Sequence, residues 1–474
     1  MSILHRQADL IDHALAVAVV GVVVEVRGMA IHVSDFAVSV GTSVQIRASN
    51  QDQLVHGEVI GFDQERAIVL PIGTTHGIRP GDQVIADQPI PTVRVGDALL
   101  GRVLDGTGQP IDQAGPVEGT IPRHLNSAPI DPMDRTPIDT PIATGIRAID
   151  TLVSAGQGQR MGVFAAPGAG KSVLLGMMAK ATSADVTVIG LVGERGREVR
   201  DFLQHHLGEE GLARSVVVCA TSDQSPVLRI RSAQTATAIA EYFRDQGRQV
   251  LLLVDSITRY CQAQRQIGLA AGEPPTSKGY PPSVFSMLPQ LLERCGRTKY
   301  GSITGFYSIL IEGDELNDPV ADAARGVLDG HINLSTDLAN QGHWPAIDVV
   351  GSISRVADVV TDAQHQSARQ RVMQLLSSYQ KVEDLLHIGA YAAGTNPDFD
   401  LAIACKSAID QMLRQGASET PTDNFSRTRQ QLLALCQLVD RTQQQLSQPR
   451  SNALQGPQAQ RLETPTEQSS PVMA

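Results

Sequence analysis

The sequence predicts an α/β protein in which a mostly parallel, helix-covered sheet follows a small β-barrel and precedes a C-terminal helical domain. Three patterns carry this reading. Between about 146 and 358, apolar β-type runs such as "RMGVFAA", "VTVIGLVG", "SVVVCAT", "QVLLLVD" and "SITGFYSILI" alternate with helical patterns, as in a parallel sheet buried on both faces. From 16 to 95, short valine-rich runs are broken by "GMA", "GTS", "SNQDQ" and "RPGDQ", a spacing that suits a small barrel. After about 360, Val372, Leu375, Leu376, Tyr379, Val382 and Leu386 fall on one helical face, and Leu432, Leu435, Cys436 and Val439 on another.

A chain of 474 residues is too long for a single core. Its 42% hydrophobic and 19% charged residues are ordinary for a folded soluble protein. The net charge of −11 argues against a general polyanion binder, because nucleic-acid affinity rests on cations that neutralise phosphates. The five cysteines are scattered and odd in number, without CxxC spacing, which reads as reduced thiols and not as a disulfide framework or zinc site. The longest apolar run, "ALAVAVVGVVV", ends at Glu25 and is too short to span a bilayer as a helix. The expected location is the cytoplasm.

In chain order, residues 1–15 place Ile3, Leu4, Ala8, Ile11 and Leu15 at helical spacing. The barrel is expected over 16–95 and the sheet domain over 96–358. Within the latter, "GRVLDGTGQPID" reads as turn chemistry and the proline-rich stretch 126–145 as a linker or wrapped surface segment. The helical domain is expected over 359–446. Residues 447–474, with four prolines and no aromatic residue, read as a disordered tail.

The chemistry begins at "AAPGAGKS", residues 165–172, which follows a strand and opens a helix. This is the context a P-loop requires, although Ala165 stands where the pattern usually has glycine. Residues Ala166, Pro167, Gly168, Ala169, Gly170, Lys171, Ser172 and Val173 would cradle phosphates with backbone N–H groups and the helix N-terminus. Lys171 would reach the β- and γ-phosphates and the Ser172 hydroxyl would ligate Mg²⁺. "RQVLLLVDSITR" ends a buried strand at Asp255, where a carboxylate faces the ligand crevice and can hold Mg²⁺ through water. "VIGLVGERGREVRD" puts Glu194 at another strand end. Spacing alone leaves Glu194 open between a group that activates water and a solvated charged turn. Trp344, the only tryptophan, is open between a ring that packs on a base and a core residue.

These segments occur in order with "GEPPTSKGYPPSVFSMLPQLLERCG" (272–296), "SITGFYSILIEGDELNDPVADAARGVLDGHI" (302–332) and "PAIDVVGSIS" (345–354). Together they resemble the rotary-type ATPase family, most closely the ATPases of type III protein export, flagellar or injectisome, over roughly residues 16–440. The resemblance implies a P-loop NTPase core that hydrolyses ATP with Mg²⁺. It makes Glu194 the catalytic carboxylate, gives Lys171, Arg195 and Arg259 to the γ-phosphate, and sets Ser172 and Asp255 at Mg²⁺. It makes Arg355 an arginine finger that enters the neighbouring subunit's site, and Trp344 the residue packed on adenine, where the family usually has Tyr.

Because one chain carries both Glu194 and Arg355, the resemblance implies a homohexamer. The implied partners are a stator-like regulatory protein at residues 1–15, a central stalk protein, the export gate at the inner face of the bacterial membrane, and export chaperones with their substrates. ATP hydrolysis would drive chaperone release, unfolding and export. One alternative is the catalytic subunit of a proton-driven rotary ATP synthase, and a second is an RNA translocase of the transcription-termination type. The second needs a basic, aromatic N-terminal domain. Residues 16–95 instead hold five Arg and no Lys against eight Asp and Glu, with Phe36 and Phe62 the only aromatics, so no nucleic acid is expected.

Overall fold

The computed structural model describes residues 19–48, 54–88, 91–311, 318–417, 419 and 425–448. The expected docking helix 1–15 lies outside the described residues, as does all of the expected tail except Ser447 and Gln448.

Strands β1 (Val20–Arg27), β2 (Ala30–Ser34), β3 (Ser43–Arg47), β4 (Leu54–Asp63), β5 (Arg66–Pro71) and β6 (Gln83–Gln88) close into a barrel in the order β1-β2-β5-β4-β3-β6. Alternation along the strands turns Val23, Ile31, Val33, Val44, Ile46, Val59, Val69 and Val84 inward, where all are buried. The barrel stops at Gln88, short of the expected boundary at 95. The next strand, β7 (Thr92–Val95), pairs instead with β9 (Ile121–His124) in a separate two-stranded sheet. Between those two lies a strand the sequence reading missed. In "GRVLDGTGQPID", β8 (Val103–Asp105) joins the edge of the large sheet beside β12 (Ser215–Thr221). The turn follows at once, because the Asp105 carboxylate accepts from the Thr107 N–H and hydroxyl and from the Gln109 N–H.

The large sheet also contains β10 (Arg160–Ala165), β11 (Val186–Glu194), β13 (Gln249–Asp255), β14 (Gly296–Arg297), β15 (Ser302–Leu310), β16 (Gly330–Leu334) and β17 (Ile347–Ser354). Its order is β17-β16-β10-β15-β13-β11-β12-β8, parallel from β16 to β8, with β17 antiparallel on the outer edge and β14 antiparallel to β15. Continuous apolar runs form its centre, since helices cover both faces. The carboxyl ends of β10, β11, β13 and β15 therefore meet on one rim, where a ligand crevice is expected.

Helices Ala363–His387, Pro397–Leu413 and Phe425–Ser447 form the C-terminal domain. Their buried residues, including Val372, Leu375, Leu401, Ile409, Leu432 and Val439, belong to the same apolar cluster as Ile149, Leu152 and Val349 of the sheet domain. The helical domain is thus fused to the sheet domain through one core. At the other end, Arg231 of helix Pro226–Asp245 reaches the barrel, with Glu58 at 2.7 Å and the Ser43 hydroxyl at 3.0 Å.

A buried ion pair lies within the sheet domain itself. Arg294 forks onto Glu241 at 2.7 and 3.0 Å and donates to the Leu125 carbonyl at 2.9 Å, with both side chains buried. Arg123 adds a longer contact to Glu241 at 3.4 Å. Arg294→Met would leave this carboxylate buried with only the weaker partner. It is expected to cost about 3 kcal/mol, because removing one member of a buried pair strands the other's charge. A lowered thermal midpoint in far-UV circular dichroism checks this, and an unchanged midpoint would refute it.

Candidate functional site

The loop after β10 turns back on itself through Gly168 (φ 86°) and Gly170 (φ 82°), left-handed conformations that favour glycine. The Ala169 N–H bonds to the Ala166 carbonyl at 3.3 Å, and helix Lys171–Ala181 then starts from Gly170. Pro167, Gly168 and Ser172 are exposed while Ala169 is buried, so the loop is anchored below and open above. Open N–H groups at a helix N-terminus make an anion cradle.

Lys171 points from this cradle to the neighbouring strand ends. Its ammonium donates to Asp255 Oδ1 at 2.5 Å and lies 3.6 Å from Glu194 Oε1. Asp255 is 2% exposed, and the Ser308 hydroxyl donates to it at 2.6 Å from the adjacent strand β15. Glu194 is 7% exposed and faces Arg259 Nη2 at 3.5 Å. Arg259 in turn donates to the Gly193 carbonyl. Four of the expected groups, Lys171, Glu194, Asp255 and Arg259, are therefore one cluster.

The electrostatics are unbalanced toward the proton. Burial and the nearby Asp255 push the Glu194 carboxyl up to about 7 from its usual 4.5, against the opposing pull of Lys171 and Arg259. Glu198, one helical turn on, accepts a hydrogen bond from Glu194, which lowers its own pKa. Glu194 Oε1 has no hydrogen-bond partner although it is buried. Such an orphaned acceptor is costly unless something enters to meet it.

Ser172 and Asp255 supply a hydroxyl and a carboxylate, hard oxygens of the kind Mg²⁺ takes with a few waters and phosphate oxygens. No group of three or more His, Cys, Asp or Glu that could hold a metal exists among the described residues.

Trp344 is not a core residue. It is 42% exposed, and its ring lies against the P-loop: a Cβ on Gly170 would come within 2.6 Å of Trp344 Cζ3. Arg195 is not brought into the cluster. It is 76% exposed and lies 3.6 Å from Glu198. Nor is Arg355, which follows β17 at the opposite end of the sheet. Because β17 is antiparallel, its start (Ile347 beside Leu334) is at the P-loop rim and its end (Ser354 beside Gly330) is at the far rim. By strand rise, Arg355 is on the order of 20 Å from its own P-loop. Its backbone N–H bonds to the Asp329 carbonyl at 3.0 Å and its side chain is exposed.

Sequence reasoning missed Ser308 and Glu198. Each had a signal: a hydroxyl inside an apolar run, and a carboxylate four residues after Glu194.

Three family models match the chain. The nucleotide-binding domain of the ATP synthase alpha/beta family covers residues 145–354, the beta-barrel domain of the same family 16–86, and the T3SS EscN ATPase C-terminal domain 361–434. Over 377 residues the chain is 52% identical to a flagellum-specific ATP synthase of Pseudomonas aeruginosa, spanning 79% of this chain and 84% of that one. Over 421 residues it is 47% identical to a type 3 secretion system ATPase of Xanthomonas euvesicatoria, spanning 89% and 94%. Among solved structures, the assembled ATPase EscN of the enteropathogenic E. coli type III secretion system superposes with a TM-score of 0.82 at 41% identity. That match covers 88% of this chain and 99% of EscN. EscN in complex with its central stalk EscO gives a TM-score of 0.80 at 40% identity, over the same shares of each chain.

The raised Glu194 pKa has a thermodynamic signature. Above about pH 7 the carboxylate is charged in both folded and unfolded chains, and the folded one bears the desolvation. Glu194→Gln should therefore stabilise the nucleotide-free protein by about 2 kcal/mol at neutral pH and above. The gain should fade as pH falls from about 7 to 4.5 and vanish below that, where both states are protonated. Thermal midpoints of both proteins across this range test it, and a gain that does not depend on pH would contradict it.

Proposed function

Because this chain belongs to the ATP synthase alpha/beta family and is an ATPase of its type III export branch, we propose that it works as a homohexameric ring in which neighbouring copies complete each other's sites. The observation that carries this is the separation along β17. Lys171, Glu194, Asp255 and Arg259 gather at one rim of the sheet, while Arg355 is exposed at the other. An arginine side chain cannot span that distance, so Arg355 serves a site only on another copy.

Within one site, the backbone of Ala166–Val173 and the helix N-terminus hold the phosphates, and Lys171 turns from the two carboxylates to the γ-phosphate. Ser172 and Asp255 would hold Mg²⁺, which neutralises charge on the β- and γ-phosphates. Arg259 faces the γ-phosphate from beside Glu194. Arg195 joins it after releasing Glu198, an exposed pair that is cheap to break. Glu194 is the base for the attacking water. A carboxyl poised near neutral pH is well matched to taking a proton in the transition state. Trp344 offers its open ring to the adenine. Arg355 of the next copy supplies positive charge where the transferred phosphoryl group develops negative charge.

Hydrolysis in this ring would drive chaperone release, unfolding and export of substrate proteins. The ring would dock peripherally at the export gate on the cytoplasmic face of the membrane. The similarity to EscN bound to EscO supports a central stalk as partner. A stator-like protein is assigned to residues 1–15. Among the described residues, no helix is long and apolar enough to cross a membrane, which agrees with peripheral docking. The catalytic subunit of a proton-driven synthase is the weaker reading, since those rings divide Glu and Arg between two kinds of subunit.

The test mixes two inactive proteins. Glu194→Gln and Arg355→Ala should each assemble and bind ATP but turn over at least ~10²-fold more slowly. Mixed rings should recover part of the activity, because some interfaces pair an intact Glu194 with an intact Arg355. Rings shown to be mixed yet inactive would exclude the shared site.

A further inference from the structure

Gln415 is a buried polar residue that none of the chemistry above uses. It lies two residues past helix Pro397–Leu413, where the helical domain returns to the sheet domain, and it is 5% exposed. Burying an amide is costly unless each of its ends is met. Here both are. Its Oε1 accepts the Arg147 N–H at 2.9 Å, and its Nε2 donates to the Gly145 carbonyl at 2.8 Å. Its own backbone N–H donates to the Trp344 carbonyl at 2.8 Å.

These three partners bracket the helix that carries Lys171. Gly145 has φ 77°, and a Cβ there would lie 2.1 Å from that of Ala181, the last residue of the helix. Trp344 lies against Gly170 at the other end. Arg147 strengthens the joint, with Glu419 at 2.9 Å and the Arg414 carbonyl as further partners. The Arg147 N–H opens a helix and has no intrahelical acceptor, so the Gln415 amide supplies its partner. The Trp344 carbonyl is therefore held by the stretch that leaves the helical domain, through the Gln415 backbone N–H.

We propose that Gln415 is a positioning residue that holds Trp344 over the P-loop and thereby ties nucleotide affinity to the placement of the C-terminal helical domain. The inference rests on the reading of Trp344 as the residue that meets the adenine. Gln415 touches no part of the nucleotide and acts only through Trp344 and residues 145–147. Its loss should move affinity and leave the phosphate chemistry in place.

The experiment uses the full chain. Gln415→Leu keeps the volume and removes both side-chain hydrogen bonds. Gln415→Glu keeps the acceptor for Arg147 and loses the donor to Gly145. Each should raise the KM for ATP by about 5-fold, with kcat within about 2-fold of the parent, as for a contact made equally in ground and transition states. Trp344 is the sole tryptophan, so its emission reports the joint directly. In both variants acrylamide should quench it more strongly before any nucleotide is added, a change that loss of stability alone would not cause in a folded chain. Should Gln415→Leu fail to fold, Gln415→Glu decides. Parent emission that responds to ADP, with KM and quenching unchanged in a folded variant, would overturn the role of Gln415. Parent emission indifferent to saturating ADP would instead overturn the reading of Trp344, and the proposal with it.

Discussion

The Lys171 ammonium lies between two carboxylates that the sheet has taken out of water, and the rest of the site is arranged around that charge. Asp255 and Glu194 end adjacent parallel strands whose residues are buried on both faces. Neither carboxylate is stable there unpaired. One lysine contacts both, at 2.5 and 3.6 Å. Asp255 retains the Ser308 hydroxyl when Lys171 turns to a phosphate. Glu194 retains Arg259 at 3.5 Å, together with a proton that it gives up near neutral pH. The arrival of a triphosphate thus changes the partners of both carboxylates in one event.

The outer domains are tied to this centre by different means. The barrel is joined by an arginine clasp, Arg231 on Glu58 and Ser43, and by the packing of Ala30, Ile68 and Leu70 on Val227. The helical domain shares its apolar core with the sheet domain, so it cannot shift without disturbing the layer behind the P-loop helix. The stretch 126–145 crosses the surface, with Arg135 donating to the Cys295 and Glu293 carbonyls.

Much of this was legible in the residue order. Local chemistry reads well: two glycines before Lys-Ser, a buried apolar strand that ends in Asp, valines at short intervals. Spacing left Glu194 open between two readings because the charged turn after it is partly exposed, as Arg195 shows at 76%, and only the fold brings Glu194 beside Lys171 and Arg259. What sequence could not show was contact across the chain. Ser308 meets Asp255 because β15 and β13 are neighbours in register, and Gln415 meets Gly145 across 270 positions. β8 was read as turns because three residues carry too little periodicity to outweigh the glycines around them. The barrel boundary at 95 failed for a related reason. β7 has strand composition, and only its partner reveals that it lies outside the barrel.

Strand β17 deserves a mechanical description. A paired β-strand is stiff along its length, and this one has Trp344 at the approach to one end and Arg355 just past the other. Both ends are held: the Gln415 backbone N–H donates to the Trp344 carbonyl, and the Gln159 side-chain amide to the Ser354 hydroxyl and to the Asp329 carbonyl that receives the Arg355 N–H. In a ring the strand is then a push-rod between adjacent chambers. On the proposed reading, a displacement started at Trp344 would be delivered, some 20 Å on, to Arg355 beside the next copy.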